Sequence, residues 1–197
     1  MKLIIFGATG RTGSAAVELA LGRDHSVTAF VREPSKLTVM HPHLTIVQGD
    51  ALDAAAVANA VQGHDAAVST LGAGTMEPTT TLSDSSRNVI NALQQHGIKR
   101  LSVVLSVGML YPQVAPQFVN INAEHRRVFD ALQQSSLDWI AACPPYIRDY
   151  RRTGHYRAVA GTAPDHAEQI SRFDLADFTL DQLTSDQYLR QLVGVAN

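Results

Sequence analysis

Three glycines recur at every third position near the start of the chain, in Gly7-Ala8-Thr9-Gly10-Arg11-Thr12-Gly13. The apolar run Leu3–Phe6 precedes them, and Arg11–Leu21 follows with Ala and Leu at helical spacing. A glycine turn from a strand into a helix suits phosphate chemistry. Gly7 permits the tight turn, Gly10 lets the backbone approach a pyrophosphate at the helix N-terminus, and Gly13 lets helix and strand pack closely. The spacing is G-x-x-G-x-x-G, not G-x-G-x-x-G, so its place between strand and helix carries the dinucleotide reading over that of a plain βα turn.

The end of the second strand selects among dinucleotides. Ser26–Val31 is followed by Arg32-Glu33, with Lys36 close behind. A planar guanidinium at this point suits a 2′-phosphate and predicts NADPH. The alternative is Glu33 on a ribose 2′-hydroxyl, as in NAD proteins. Asp50, after the strand Leu44–Val47, is placed near the adenine, and it also suits a turn leading into a helix. Leu71-Gly72-Ala73-Gly74 leaves room for a ribose beside the first turn, or forms a loop.

These residues need a sheet to hold them. Ala66–Leu71, Leu101–Leu105 and Trp139–Ala142 read as further strands. Helices are expected from Asp53, as N-cap, to Val61, over Ser83–His96 with Gly97 as its stop, and over Ala123–Gln134. Strands alternating with helices predict an α/β fold: a doubly wound parallel sheet, order 3-2-1-4-5-6, with helices on both faces. Beyond Pro145 the rhythm stops. The polar segment Tyr146–Gln169 is expected to be irregular and to fold over the carboxyl ends of the strands. Ile170–Ser171 reads as a short strand and Phe173–Leu183 as a last helix.

Composition bounds the rest. The 197 residues are 45% hydrophobic and 17% charged, with a formal net charge of −2. That suits one globular domain, residues 1–197, and gives no overall charge for nucleic acid or an anionic membrane. A single cysteine, Cys143, excludes an internal disulfide and a cysteine-based zinc site, and a small buried hydrophobe is its expected role. No metal site is expected. The N-terminal apolar run is too short for a signal peptide, so a cytoplasmic location is expected.

Taken in order, FGATGRTG, FVREPSKL, VQGDALD, Pro78–Thr80, Ser83–Asn88, Leu105-Ser106-Val107, CPPYI at Cys143–Ile147 and ISRFDLADF resemble the atypical short-chain dehydrogenases. The likeness is to the biliverdin-IXβ reductase and flavin reductase group of the NmrA-like NAD(P)-binding proteins, and it runs over nearly the whole chain. The resemblance implies a small monomeric reductase that uses NADPH to reduce flavins, quinones or linear tetrapyrroles. It implies that Gly7, Thr9, Gly10, Arg11, Thr12 and Gly13 hold the pyrophosphate. Arg32 takes the 2′-phosphate, Asp50 and Ala51 the adenine region, and Leu71 and Gly72 the ribose. Ser106 matches a serine beside the nicotinamide, and His125 a histidine of the substrate pocket. Two positions depart from the group: Tyr146 stands where a second pocket histidine is expected, which bears on substrate choice, and Lys36 replaces an arginine near the phosphate.

The chemistry read from the residues is consistent with this. No Tyr-x-x-x-Lys pair follows the fifth strand, which argues against alcohol oxidation through an activated tyrosine. A flavin or quinone ring stabilises its own charge and takes protons from water, so the protein must supply cofactor, stacking surface and shelter. Ser106 is a hydrogen-bond donor for the nicotinamide amide or the acceptor, or a strand-end serine satisfied by backbone. Tyr111, Phe118 and Tyr146 suit an apolar wall. Tyr150-Arg151-Arg152 suits an anionic group, or is a solvated face. Two other readings remain: a non-enzymatic NAD(P)-sensing regulator, which also needs no Tyr-x-x-x-Lys pair, and a sugar-nucleotide epimerase, which the missing pair disfavours.

Overall fold

Leu3, Ile4, Ile5 and Phe6 are fully buried in succession, as a central parallel strand with helices on both faces requires. Ile4 and Phe6 join one core and Leu3 and Ile5 another, so the alternation of the strand divides the interior into two layers. The computed structural model describes residues 1–197.

The strands β1 (Lys2–Phe6), β2 (Ser26–Val31), β3 (Leu44–Gln48), β4 (Ala66–Ser69), β5 (Arg100–Val104) and β6 (Asp138–Cys143) alternate with α1 (Arg11–Gly22), α2 (Ala54–Ala60), α3 (Thr81–Gln95) and α4 (Val119–Gln134). The sheet order is 3-2-1-4-5-6, all parallel, as expected. Val57, Val89, Leu93, Val128 and Leu132 from α2, α3 and α4 pack on one face. Ala16, Val17 and Ala20 of α1 pack on the other. Local chemistry sets the ends: Asp53 accepts the N–H groups of Ala55 and Ala56 at 2.9 and 3.0 Å and caps α2.

The C-terminal quarter differs from the irregular cover expected of it. β7 (Tyr146–Arg148) and β9 (Gln169–Ser171) pair in parallel as a separate ribbon. β8 (Arg157–Ala160) and β10 (Leu192–Ala196) extend the main sheet, β10 parallel to β6 and β8 antiparallel to β10. Gly194 is required in β10, because a Cβ there collides with the Thr162 carbonyl. α5 (Arg172–Asp181) lies beside α1, sharing its core through Ala176 and Leu180. Asp174 of α5 is fully buried and accepts from Thr153 N at 2.9 Å, Gly154 N at 2.9 Å, Thr153 Oγ1 at 2.6 Å and Asn197 Nδ2 at 2.9 Å. That cluster ties the segment after β7 to the last residue of the chain.

Candidate active site

Gly7 ends β1 with φ +76°, a conformation that strains any side chain, and a Cβ there would stand 2.8 Å from the Thr70 backbone. Thr70 Oγ1 donates towards the carbonyls of Phe6 at 3.1 Å and Gly7 at 3.2 Å, pinning the turn to the strand beside it. At Gly13 a Cβ would collide with the Gly7 carbonyl and lie 2.7 Å from Thr70 Oγ1, so this glycine serves helix–strand packing. At Gly10 a Cβ meets only the Gly7 carbonyl, at 3.2 Å, with open space beyond. No side chain caps α1, and no acidic residue stands in its first turn. A helix N-terminus left in this state favours an anion.

α3 is the opposite case. The buried Glu124 of α4 accepts from Leu82 N at 2.8 Å, Ser83 N at 3.1 Å and Ser83 Oγ at 2.9 Å, and pairs with Arg127. Burial alone would raise its pKa. The Ser83 and Arg127 hydrogen bonds outweigh that and hold it below the usual carboxylate value. The first N–H groups of α3 are thus occupied, while those of α1 are open.

Two cavities lie along the carboxyl ends of the strands. The first, about 600 Å³, is a cleft over the point where β1 gives way to β4, the switch point at which such sheets bind ligands. Gly7, Thr9, Gly10, Arg32, Lys36, Asp50, Ala51, Leu71 and Gly72 line it, as do Thr70 and Phe30. Lys36 Nζ donates to Glu33 Oε1 at 2.7 Å, and this bond, with the Lys36 charge, lowers the Glu33 pKa. The Arg32 guanidinium makes no ion pair within the chain, and its carbonyl accepts from Gln48 Nε2 at 3.2 Å. Asp50 Oδ1 accepts from Leu52 N at 3.0 Å and shapes the turn beside the cleft. Arg11, Thr12 and Gly13 do not line the cleft. Thr12 and Gly13 are buried in α1, and Arg11 turns away to Asp149.

The second cavity, about 770 Å³, lies over β5 and β6, the neighbouring strands. It begins at Met76, next in the chain to Thr75 of the cleft. Tyr111, Phe118 and Tyr146 line it together, with Ser106, Val107, Val114 and Ile121. Ser106 Oγ accepts from Gly108 N at 3.3 Å and keeps its own proton to donate. Tyr146 is 64% exposed and Arg148 stands over its ring at 5.7 Å, so both form the rim.

His125 differs from the pocket residue expected. It is only 6% exposed, outside the cavity lining, with Nδ1 buried and unpaired. Burial pushes its pKa down to about 4. It lies three and four residues beyond Asn122 and Ile121 on α4, beneath the lining and not on it. The basic run is also structural in part: Arg152 binds Asp177 at 2.6 Å and Tyr150 donates to Asn197 at 2.7 Å. The Cys143 thiol is buried, and burial pushes its pKa up to about 12. Sequence reasoning passed over Thr70, Asn122, Arg148 and Glu168. None of the four left a signal in local pattern, because each is brought to its cavity by the tertiary fold.

A family model described as NAD(P)H-binding matches residues 7–186, from the glycine turn to beyond α5. The chain belongs to this NAD(P)H-binding family. It is 27% identical to the uncharacterized protein YwnB of Bacillus subtilis, over 100% of this chain and 99% of that one. A Rossmann-fold NAD(P)-binding family protein from Shigella flexneri superposes with a TM-score of 0.81 at 25% identity, covering 100% of this chain and 93% of that one. ChuY, an anaerobillin reductase from Escherichia coli O157:H7, superposes with a TM-score of 0.84 at 24% identity, covering 100% and 97%. The fold is accordingly that of a Rossmann-type NAD(P)H-binding protein. No helix is long and apolar enough to cross a membrane.

Proposed function

We propose that this protein is an NADPH-dependent reductase of a planar acceptor: a flavin, a quinone or a linear tetrapyrrole. The observation that carries this reading is the pair of adjoining cavities, one with an open glycine cradle and a free arginine, the other walled by apolar and aromatic groups. Gly7, Thr9 and Gly10 would hold the pyrophosphate with the open N-terminus of α1. Arg32 would take the 2′-phosphate, Asp50 and Ala51 the adenosine, and Leu71 and Gly72 the ribose. When bound, the nicotinamide supplies a hydride.

The remaining work falls to the second cavity. Tyr111, Phe118 and Tyr146 would offer aromatic surface to a flat ring, with Tyr146 at the open rim. Ser106 would orient the nicotinamide amide or the acceptor. The acceptor takes two electrons with the hydride, and its proton comes from water at the open rim. That an anaerobillin reductase shares the fold is an analogy in keeping with a tetrapyrrole-sized acceptor. A monomer in a reducing cytosol, where the buried Cys143 stays a thiol, completes the reading.

The test is loss of NADPH absorbance with menadione, FMN, FAD and biliverdin in turn. At least one should be reduced stoichiometrically, with NADH a poorer donor. Tight NADPH binding with no oxidation by any of them would replace the enzyme with a dinucleotide-sensing protein.

A further inference from the structure

Asn122 lies on α4 at the wall of the apolar cavity, and its Oδ1 is buried without a hydrogen-bond partner. The carboxamide packs on Gly108: a Cβ there would stand 2.6 Å from Asn122 Oδ1 and 3.0 Å from Val114 Cγ1. The Gly108 N–H in turn meets Ser106 Oγ at 3.3 Å. Ser106 and Asn122 therefore flank one bare glycine and line the same cavity. A carboxamide offers two donor hydrogens, and those of Asn122 have no acceptor within the chain. Val114 and Ile121 give the cavity apolar surface, and Gln113, Arg148, Glu168 and Gln169 line it with them. The buried Oδ1 packs on Gly108, and an acceptor on a ligand cannot pair with it, so the group of Asn122 left for a ligand is the amide nitrogen.

We propose that Asn122 is a specificity-determining residue that contacts the acceptor directly, Nδ2 donating to a ring carbonyl oxygen of a quinone- or flavin-type compound. The Ser106 hydroxyl supplies a second donor on the other side of Gly108. This rests on the reading of the cavity as the acceptor site. A ring carbonyl matches both donors, whereas a bare aromatic hydrocarbon leaves them unpaired, so the site selects carbonyl-bearing rings among flat molecules of equal size. The carbonyl is also where negative charge gathers when such a ring is reduced, so the same contact strengthens as the reaction proceeds.

Binding measures this without turnover. The protein saturated with NADP⁺ is titrated calorimetrically with menadione and with naphthalene, which has the same fused rings and no carbonyl. The wild type should hold menadione the more tightly. Asn122→Leu should weaken menadione about tenfold, the weight of one hydrogen bond, and leave naphthalene unchanged. Asn122→Asp should weaken menadione at neutral pH and recover on acidification, when the protonated carboxyl again donates. Each variant is first shown to bind NADP⁺ as the wild type does. Equal loss for both ligands in Asn122→Leu would make the residue a packing element, and unchanged menadione binding would remove it from the site; either overturns the proposal. Wild-type protein that binds NADP⁺ but neither ring compound would overturn the reading of the cavity itself.

Discussion

The Arg11 guanidinium donates to the Asp149 carboxylate at 3.2 Å, joining the first turn of α1 to the segment that follows β7. Asp149 also faces Arg172 at the start of α5, at 3.6 Å. One carboxylate thus stands between two helix N-termini, beside the glycine turn on one side and the ribbon that lines the second cavity on the other. Arg11 is drawn away from the cleft by this contact.

Asp149→Asn should therefore tighten NADPH binding about threefold at low ionic strength, because Arg11 is released and a negative charge near the pyrophosphate is removed. The gain should vanish in high salt. Stability should change by less than about 1 kcal/mol, since both side chains are more than half exposed, at 63% and 51%. Fluorescence titration at two ionic strengths checks the first outcome and urea denaturation the second. Unchanged affinity at low salt would show that the pair does not bear on the cofactor.

Arg32 sits at the end of β2 with no ion pair of its own, while Lys36 is engaged by Glu33. Arg32→Ala should weaken NADPH binding by about 1.5–3 kcal/mol, the worth of a charge-assisted contact, and leave NADH nearly unchanged. Equal losses for both would assign the 2′-phosphate elsewhere.

Gly10 and Gly13 look equivalent in the motif and are not. Gly10→Val should fold normally and lose dinucleotide binding, since its side chain enters open space over the cradle. Gly13→Ala should instead lower stability, by about 1–3 kcal/mol for overpacking, because its Cβ is driven into the Gly7 carbonyl and Thr70. Thermal melts with and without NADPH separate the two. Full binding by Gly10→Val would move the phosphate site away from this turn.

That difference also marks what the sequence shows and what it hides. Strand, glycine turn and helix follow one another within the chain, so β1, α1 and the order of the first six strands can be read from local pattern. Most cleft residues were legible for the same reason: each ends a parallel strand, and strand ends converge. β10 was not, because Leu192–Ala196 is a short run interrupted by Gly194, and only its contact with the Thr162 carbonyl explains that glycine. The resemblance implies a phosphate role for Arg11, and its contact with Asp149, far along the chain, leaves no local trace. Asn122 and Glu124 depend on which way α4 faces, and a helix with polar residues at both positions gives no such direction.

His125 carries the last prediction. A histidine in a substrate pocket invites the role of general acid, and a general acid typically contributes about 10²–10⁴-fold. Here burial holds the ring neutral, with its pKa lowered from 6.5 to about 4, so at neutral pH it has no imidazolium proton to give. His125→Ala should cost less than tenfold in single-turnover hydride transfer to FMN, and no rate limb should appear near pH 6.5. Its effect should be seen in stability instead. The unfolded chain protonates this histidine near pH 6.5 and the folded one only near pH 4. Between those values the unfolded state binds more protons, so stability falls as pH drops through that window. The total is at most about 3.5 kcal/mol from this group, at roughly 1.4 kcal/mol for each unit of pKa. His125→Phe should flatten that part of the urea-denaturation profile between pH 4 and 6.5. A hundredfold loss of the chemical step in His125→Ala, with a rate limb near pH 6.5 abolished, would make His125 the proton donor and require the helix to open towards the cavity.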